Sequence, residues 1–298
     1  LSILFNRIAK VIIGINTADA LVFDEKFRIT FDVMKDTTSM PNNATISIFN
    51  LSDDDRESIK NVVHKNNELS SKGEPLLPLL LYAGYKDNIG YEFMFSGDIT
   101  AVVDKYAGTE TETQISTGDG AIPLRNTFIN LSFSAGVSVT SIVKQLSESL
   151  KMDISSTSDY LTNNIDFANG FSFTGKAKDC MDRVIRSAGL TWHIEKNKIV
   201  IIPNDKSTTG DAVLLDKSTG LIGSPEKIIE SGANVINPGD YDGWNVKSLL
   251  RPVINPGNKI KVVSRLANAI MKVETIEHKG DTWSGDWFTN IAIRKLLV

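Results

Sequence analysis

The sequence predicts an α+β, β-rich chain, with strand-dominated blocks at both ends and small α+β units between them. Three observations carry this. Apolar and polar residues alternate with period two near both termini, as half-buried strands require. Helical spacing is confined to three stretches, beginning near Ser52, Ser138 and Gly175. Gly, Pro, Asn and Asp fill the connections, where turns need positive φ or side-chain-to-backbone bonds.

The first block opens on an apolar segment, 1–15, interrupted by Asn6, Arg7 and Lys10. It lacks a basic leader and a small-residue cleavage site, so a signal peptide is not expected. Phe27, Ile29, Phe31 and Val33 then alternate with Arg28, Thr30, Asp32 and Met34 as a strand. Pro41-Asn42-Asn43 turns the chain into a second strand, where Ala44, Ile46 and Ile48 alternate with polar neighbours, and the two are expected to pair antiparallel. Ser52 followed by Asp53, Asp54 and Asp55 reads as a capped, acid-started helix with Ile59, Val62 and Val63 on its buried side. This helix is expected to be short, with His64 at its end and a polar loop over 65–73. Strands follow over 76–85 and 91–103, the second interrupted by Gly97 as at a bulge or tight bend. A further strand over 112–117 ends in Gly118-Asp119-Gly120, read as a turn because Pro123 intervenes before any helix. Together these elements make a small barrel or a strongly curved sheet.

The middle block changes character. Val139, Ile142, Val143, Leu146 and Leu150 follow helical spacing after a Ser138 cap, and a polar stretch covers 155–164. Phe171 and Phe173 lie on a short strand. Ala177, Met181, Val184, Ile185 and Ala188 form a second helical face, closed by Gly189. Trp192 and Ile194, then 199–202, make a hairpin around Glu195-Lys196-Asn197-Lys198. After a polar linker over 204–210 and an irregular segment over 220–225, an antiparallel meander closes the chain. Its strands are expected over 259–263, 271–276 and 287–293, with a loop over 278–286.

The bulk properties bound the function. A chain of 298 residues, 41% hydrophobic and 23% charged, builds packed cores in two or three domains. A net charge of −4 with interspersed signs argues against a dedicated nucleic-acid binder. One cysteine, Cys180, excludes an intramolecular disulfide, and its helical position reads as a small buried apolar group. No run reaches the ~18 apolar residues of a membrane span.

Chemistry-bearing patterns are missing from the sequence. It has no P-loop, no paired-histidine zinc helix and no Gly-x-Ser-x-Gly elbow. The three histidines, His64, His193 and His278, are far apart in sequence, and Asp53, Asp54 and Asp55 do not face one point on a helix. His278, Asp281 and Asp286 share a loop and form a nominal acid–base set, but Gly280 and Gly285 there read as turn formers. Catalytic, cofactor-binding and metal residues are therefore assigned to none.

Several segments, in order, carry a resemblance. They are Leu81-Tyr82-Ala83-Gly84-Tyr85 with Phe93-Met94-Phe95-Ser96-Gly97-Asp98-Ile99; Gly118-Asp119-Gly120; Phe173-Thr174-Gly175-Lys176-Ala177 with Gly189-Leu190-Thr191-Trp192; Thr219-Gly220-Leu221-Ile222-Gly223-Ser224-Pro225; and the closing stretch. That stretch runs Ser248-Leu249-Leu250-Arg251-Pro252, Asn255-Pro256-Gly257 and His278-Lys279-Gly280-Asp281-Thr282-Trp283. Together the sequence resembles the baseplate hub of tailed phages and the related head of type VI secretion spike proteins. The resemblance implies two small β-barrel-like, tail-tube-like modules, at 1–125 and 205–298, with α+β insert units at 126–204. It implies a homotrimer whose six barrels imitate the sixfold tail tube and present threefold symmetry to the central spike. Partners would be the tail tube, spike, tape measure and wedge proteins, with DNA only as cargo, in a virion assembled in the host cytoplasm. It implies no cofactor and no catalysis, and the missing fused lysozyme of larger relatives speaks against wall cleavage. Two other functions remain open from the residues: a glycan- or peptidoglycan-cleaving tail enzyme with two carboxylates across a groove, and a carbohydrate-binding β module with an aromatic platform at Trp283 and Trp287.

Overall fold

The computed structural model describes residues 6–14, 20–155, 161, 165–203, 206–208, 210–228 and 243–295. The first block contains β1 (Arg7–Ile13), β2 (Leu21–Phe23), β3 (Ile29–Asp36), β4 (Asn43–Phe49), α1 (Asp53–Lys72), β5 (Leu79–Tyr85), β6 (Gly90–Ala107), β7 (Glu110–Gly118) and α2 (Ala121–Asn126). The period-two pattern places Ile29, Phe31 and Val33 inward beside Ala44, Ile46 and Ile48, and β3 pairs antiparallel with β4 as expected. Ser52 caps α1, accepting the Asp55 N–H at 3.1 Å while the acidic first turn faces the positive helix end.

Two expectations in this block are corrected. The helix is not short: it runs 20 residues, so His64 lies within it and most of the expected loop over 65–73 is helical. The reason is Asn66. Its buried amide accepts from Leu77 N–H at 2.7 Å and donates to the Leu77 carbonyl at 2.9 Å, tying the second half of α1 to the approach to β5. Gly73, at φ 67°, then ends the helix in the left-handed conformation. Likewise, Gly118-Asp119-Gly120 does lead into a helix, the short α2, with Pro123 in its first turns, where a missing N–H costs no helical bond.

The long strand β6 changes partner along its length. Residues up to Gly97 pair with β5, and Asp98 onward pairs with β7. A Cβ on Gly97 would lie 2.6 Å from Thr117 Oγ1 and 2.9 Å from the Gly118 carbonyl carbon, so only glycine lets the two ladders meet there.

The middle block holds β8 (Phe128–Phe133), β9 (Val137–Ser138), α3 (Val139–Leu150), β10 (Asp153–Ile154), β11 (Asp166–Phe167), β12 (Phe171–Lys176), α4 (Ala177–Ser187), β13 (Leu190–Glu195) and β14 (Lys198–Pro203). Ser138 caps α3 by accepting from Ser141 N–H at 3.1 Å. The apolar faces of α3 and α4 meet the β13–β14 hairpin, with Cys180 fully buried on α4. Lys196 and Asn197 both take positive φ, which the tight hairpin turn demands. Of the polar stretch expected over 155–164, residues 156–160 and 162–164 lie outside the described residues, as do 204, 205 and 209 of the linker.

The last block holds β15 (Val213–Leu215), β16 (Leu221–Lys227), β17 (Gly243–Leu249), β18 (Lys259–Val263), β19 (Asn268–Asp281) and β20 (Trp287–Lys295). The β18–β19–β20 meander is antiparallel as predicted. The segment expected to be irregular over 220–225 instead lies largely in β16, which pairs with β17 across a bulge between Ile222 and Glu226. β19 also runs further than expected, because its second half has a partner on each side, and this puts His278 on a strand rather than in a loop.

One sheet of 13 strands joins the two ends of the chain, in the order β16-β17-β20-β19-β3-β4-β7-β6-β5-β1-β2, with β15 and β18 branching from β19. The seam is the β3–β19 ladder, from Thr275 opposite Asp36 to Asp281 opposite Thr30. Among the described residues this path is open, and no barrel closes. Of three apolar cores, those of the first and last blocks are built on this sheet and that of the middle block on its own helices and small sheets; Leu250 and Trp287 of the last block belong to the first core.

Candidate functional site

The seam makes one surface of the whole sheet. Directly paired residues share a face. A row therefore runs Leu249, Phe288, Lys279, Asp32, Thr45, Ser116 and Ala101 across strands of both blocks. The next outward row runs Lys247, Asn290, Glu277, Met34, Asn43 and Gly118. The inward row between them holds Thr289, His278, Val33, Ala44 and Thr117, all buried, and the inward row on the other side of Lys279 holds Trp287, Gly280, Phe31, Ile46 and Ile115. The outward face is thus polar, rich in hydroxyl and amide groups, and continuous from one block to the other.

Its central charges are paired, while Lys247 lies over the Phe288 ring. Lys279 Nζ lies 2.5 Å from Glu277 and 3.4 Å from Asp32, and Asn290 donates to Glu277 at 2.6 Å. The Glu277 hydrogen bond is the main reason the Lys279 ammonium is held above its ordinary range. Burial pushes the Glu277 carboxyl up, but the bonds from Lys279 and Asn290 outweigh it and leave the group below the usual carboxylate range. At one end of the face, Arg28 grips Asp281 with two bonds, at 2.8 and 3.3 Å.

Beneath the seam lies a buried polar junction. Lys35 continues the inward register of Ile29, Phe31 and Val33, and is 3% exposed. Its Nζ donates to the Met94 carbonyl at 2.6 Å and to Asn255 Oδ1 at 2.8 Å, so it links β3, β6 and the 255 turn. Burial pushes its ammonium down to about 8. Nearby, Asn42 donates to the Ile194 carbonyl at 2.6 Å and Asp119 accepts from Asn197 N–H at 2.9 Å, which fastens the middle block to the first.

The nominal acid–base residues do not converge. His278 points inward and shares a 2.9 Å hydrogen bond with Thr289, whereas Asp281 sits in the outward register and is occupied by Arg28. Burial, with the Lys35 charge, holds His278 well below its ordinary value and therefore neutral. His193 is fully buried in the hairpin, and burial with the Lys272 and Lys35 charges pushes it to about 3. Trp287 is in the core, edge-on to Phe31 at 5.4 Å and to Tyr85 at 6.4 Å, while Trp283 is 65% exposed. The expected two-tryptophan platform is therefore absent. Among the described residues no three His, Cys, Asp or Glu side chains gather as for a metal ion. Sequence reasoning missed the Lys35 junction. Its one signal was a lysine at an inward position of an alternating strand.

The family model described as Baseplate hub gp41 matches residues 8–276. Solved structures share the fold across nearly the whole chain. A tail protein from Neisseria meningitidis MC58 superposes with a TM-score of 0.62 at 11% identity, covering 98% of this chain and 97% of its own. The 43 kDa tail protein of prophage MuSo2 from Shewanella oneidensis gives 0.61 at 10% identity, covering 98% of each. A type VI secretion component from E. coli gives 0.55 at 12% identity, covering 91% of this chain and 74% of that one. No curated protein sequence matches significantly. The fold with its sheet running through both ends, and the family match over most of the length, place this chain in the baseplate hub gp41 family.

Proposed function

We propose that this chain is the structural hub subunit of a phage-tail baseplate, forming a homotrimeric ring that joins the sixfold tail tube to the threefold central spike. The observation that carries this is the β3–β19 ladder, which makes the first and last blocks adjoining sectors of one sheet with a single continuous polar face. In the ring, each block curves as a barrel-like module, over 1–125 and 205–298, and the units of 126–204 stand outside to meet spike or wedge proteins. Most members of each apolar core fall within one of these ranges, while Leu124, Leu250 and Trp287 pack across the boundaries. The polar face lines the channel. Its paired charges and hydroxyl groups give a polyanion no run of free cations to adhere to, so DNA passes as cargo. Ring closure also shields the strand edges that β2 and β16 leave open among the described residues from non-specific pairing.

Native mass spectrometry with negative-stain electron microscopy tests this directly. A trimer with a central opening is expected, alone or with the spike protein. A monomer that stays monomeric with both spike and tube proteins present refutes it. Zymography on cell walls separates the glycan-cleaving function, for which Asp98 and Asp119 would be the carboxylates. Clearing that is lost in Asp98→Asn and Asp119→Asn would establish that function instead.

A further inference from the structure

The structure contains a cavity of about 510 Å³ between the first and middle blocks, in the size range of ligand sites. Its lining is mixed: Pro75, Leu76, Pro78 and Leu150 supply an apolar part, beside polar groups such as Ser96, Asn126 and Thr127. Its floor holds two carboxylates, Asp98 at 7% and Asp119 at 3% exposure. Each is anchored by a backbone N–H: Ile122 donates to Asp98 at 3.1 Å, and Asn197 donates to Asp119 at 2.9 Å. Independently of these acids, two helices end at the same cavity. The C-terminal residues of α1, through Ser70 and Gly73, and of α3, through Ser149 to Lys151, line it. Helix C-termini carry partial negative charge and favour cations.

We propose that this cavity binds an organic cation: a guanidinium or alkylammonium group on an aliphatic stem, as carried by an arginine or lysine side chain of a partner protein. The stem lies along the proline and leucine walls, and the charged head reaches the two carboxylates. The walls and floor divide the two halves of such a side chain, as snorkelling residues do at other polar–apolar boundaries. Lys151 stands at the rim, with its Nζ beside Gly73 at the end of α1, and Glu74 is also at the mouth.

The carboxylates are poised for such a partner. Burial, opposed by the Ile122 bond and the Arg125 charge, lifts Asp98 to about 6. Burial, opposed by the Asn197 bond and the Lys35 charge and reinforced by Asp98, lifts Asp119 to about 7. The charged groups around them are therefore Lys35 from β3, Arg125 from α2, and Glu74 and Lys151 at the rim. An entering cation favours the ionised forms, so binding releases protons and is tighter near pH 8 than near pH 5.

The test uses the full chain and three probes: N-acetyl-arginine methylamide, N-acetyl-lysine methylamide and the uncharged N-acetyl-norleucine methylamide. Binding is followed by titration calorimetry and thermal shift near pH 8 and near pH 5. The arginine or lysine probe should bind, more tightly near pH 8, with the norleucine probe at least about tenfold weaker. Asp98→Asn and Asp119→Asn keep an acceptor for the backbone N–H groups and should each weaken binding by about tenfold or more. Equal binding of the norleucine probe, an undiminished response in both variants, no binding to the wild type, or stabilisation by magnesium or calcium in place of the organic cations each overturns the proposal. The wild-type pH dependence and the norleucine control decide the matter even if a variant fails to fold.

Discussion

Gly280→Ala should destabilise the seam between the first and last blocks. Gly280 sits on β19 opposite Phe31 on one side and Trp287 on the other. Its φ is ordinary, so alanine meets no backbone strain and the cost is steric alone. A Cβ there would lie 2.1 Å from Phe31 Cζ, 2.5 Å from Cε1 and 2.8 Å from Cε2, well inside contact distance. The ring must move, yet it is 4% exposed and rests edge-on against Trp287 at 5.4 Å. Overpacking of this kind costs about 1–3 kcal/mol, and disturbing the aromatic pair adds up to about 1 kcal/mol. Urea unfolding followed by tryptophan emission reads the loss. Phe31→Leu supplies the control, because a smaller side chain makes room for the new methyl. In the double variant the alanine should cost at least about 1 kcal/mol less than in the wild-type background. A Gly280→Ala protein within about 0.5 kcal/mol of wild type, or strictly additive variants, would refute the steric account.

Asn66→Ala removes both bonds to Leu77 and leaves that backbone unpaired, so a loss of about 1–3 kcal/mol in urea unfolding is expected, with faster hydrogen exchange in the second half of α1. Asp281→Ala frees Arg28 and the Trp283 and Ser284 N–H groups; it should cost about 1–3 kcal/mol and speed proteolysis between 282 and 286. Asp119→Asn should change the pH dependence of stability. Burial places the folded carboxyl at about 7, above its ordinary value of 3.8, so its contribution is full below that ordinary value and is lost as pH rises through about 7. Relative to wild type the variant therefore gains stability as pH rises from about 4 to about 7, and a flat difference curve in thermal unfolding would contradict the burial of this group.

Much of the fold was legible because it rests on local signals. Alternation at Ile29, Phe31 and Val33, the Ser52 and Ser138 caps, and the Lys196-Asn197 turn each depend on neighbours a few residues away, and each stands where the sequence placed it. Failures came where a distant partner decided the local state. The segment 65–73 looks like a loop by composition, but Asn66 meets Leu77 and the helix continues. The 278–286 segment is rich in Gly, Asp and Ser, but β3 and β20 flank its first part and extend β19 to Asp281. In the sequence Gly280 reads as a turn glycine, but in the fold the Phe31 ring occupies the space a side chain there would need.

By itself the sequence determined the class of elements, most of their starts, the family resemblance and the lack of catalytic patterns. Those properties follow from side-chain periodicity, capping and turn preferences, which act within a few residues. Only the tertiary structure decided that Lys35, an inward-facing cation, finds the Met94 carbonyl and Asn255. It alone decided that Asp98 and Asp119 share a cavity with two helix ends, and that β3 lies against β19. Strand partners hundreds of residues apart are chosen by the burial of whole faces and the pairing of backbone groups across the sheet, and no short window of sequence records that choice.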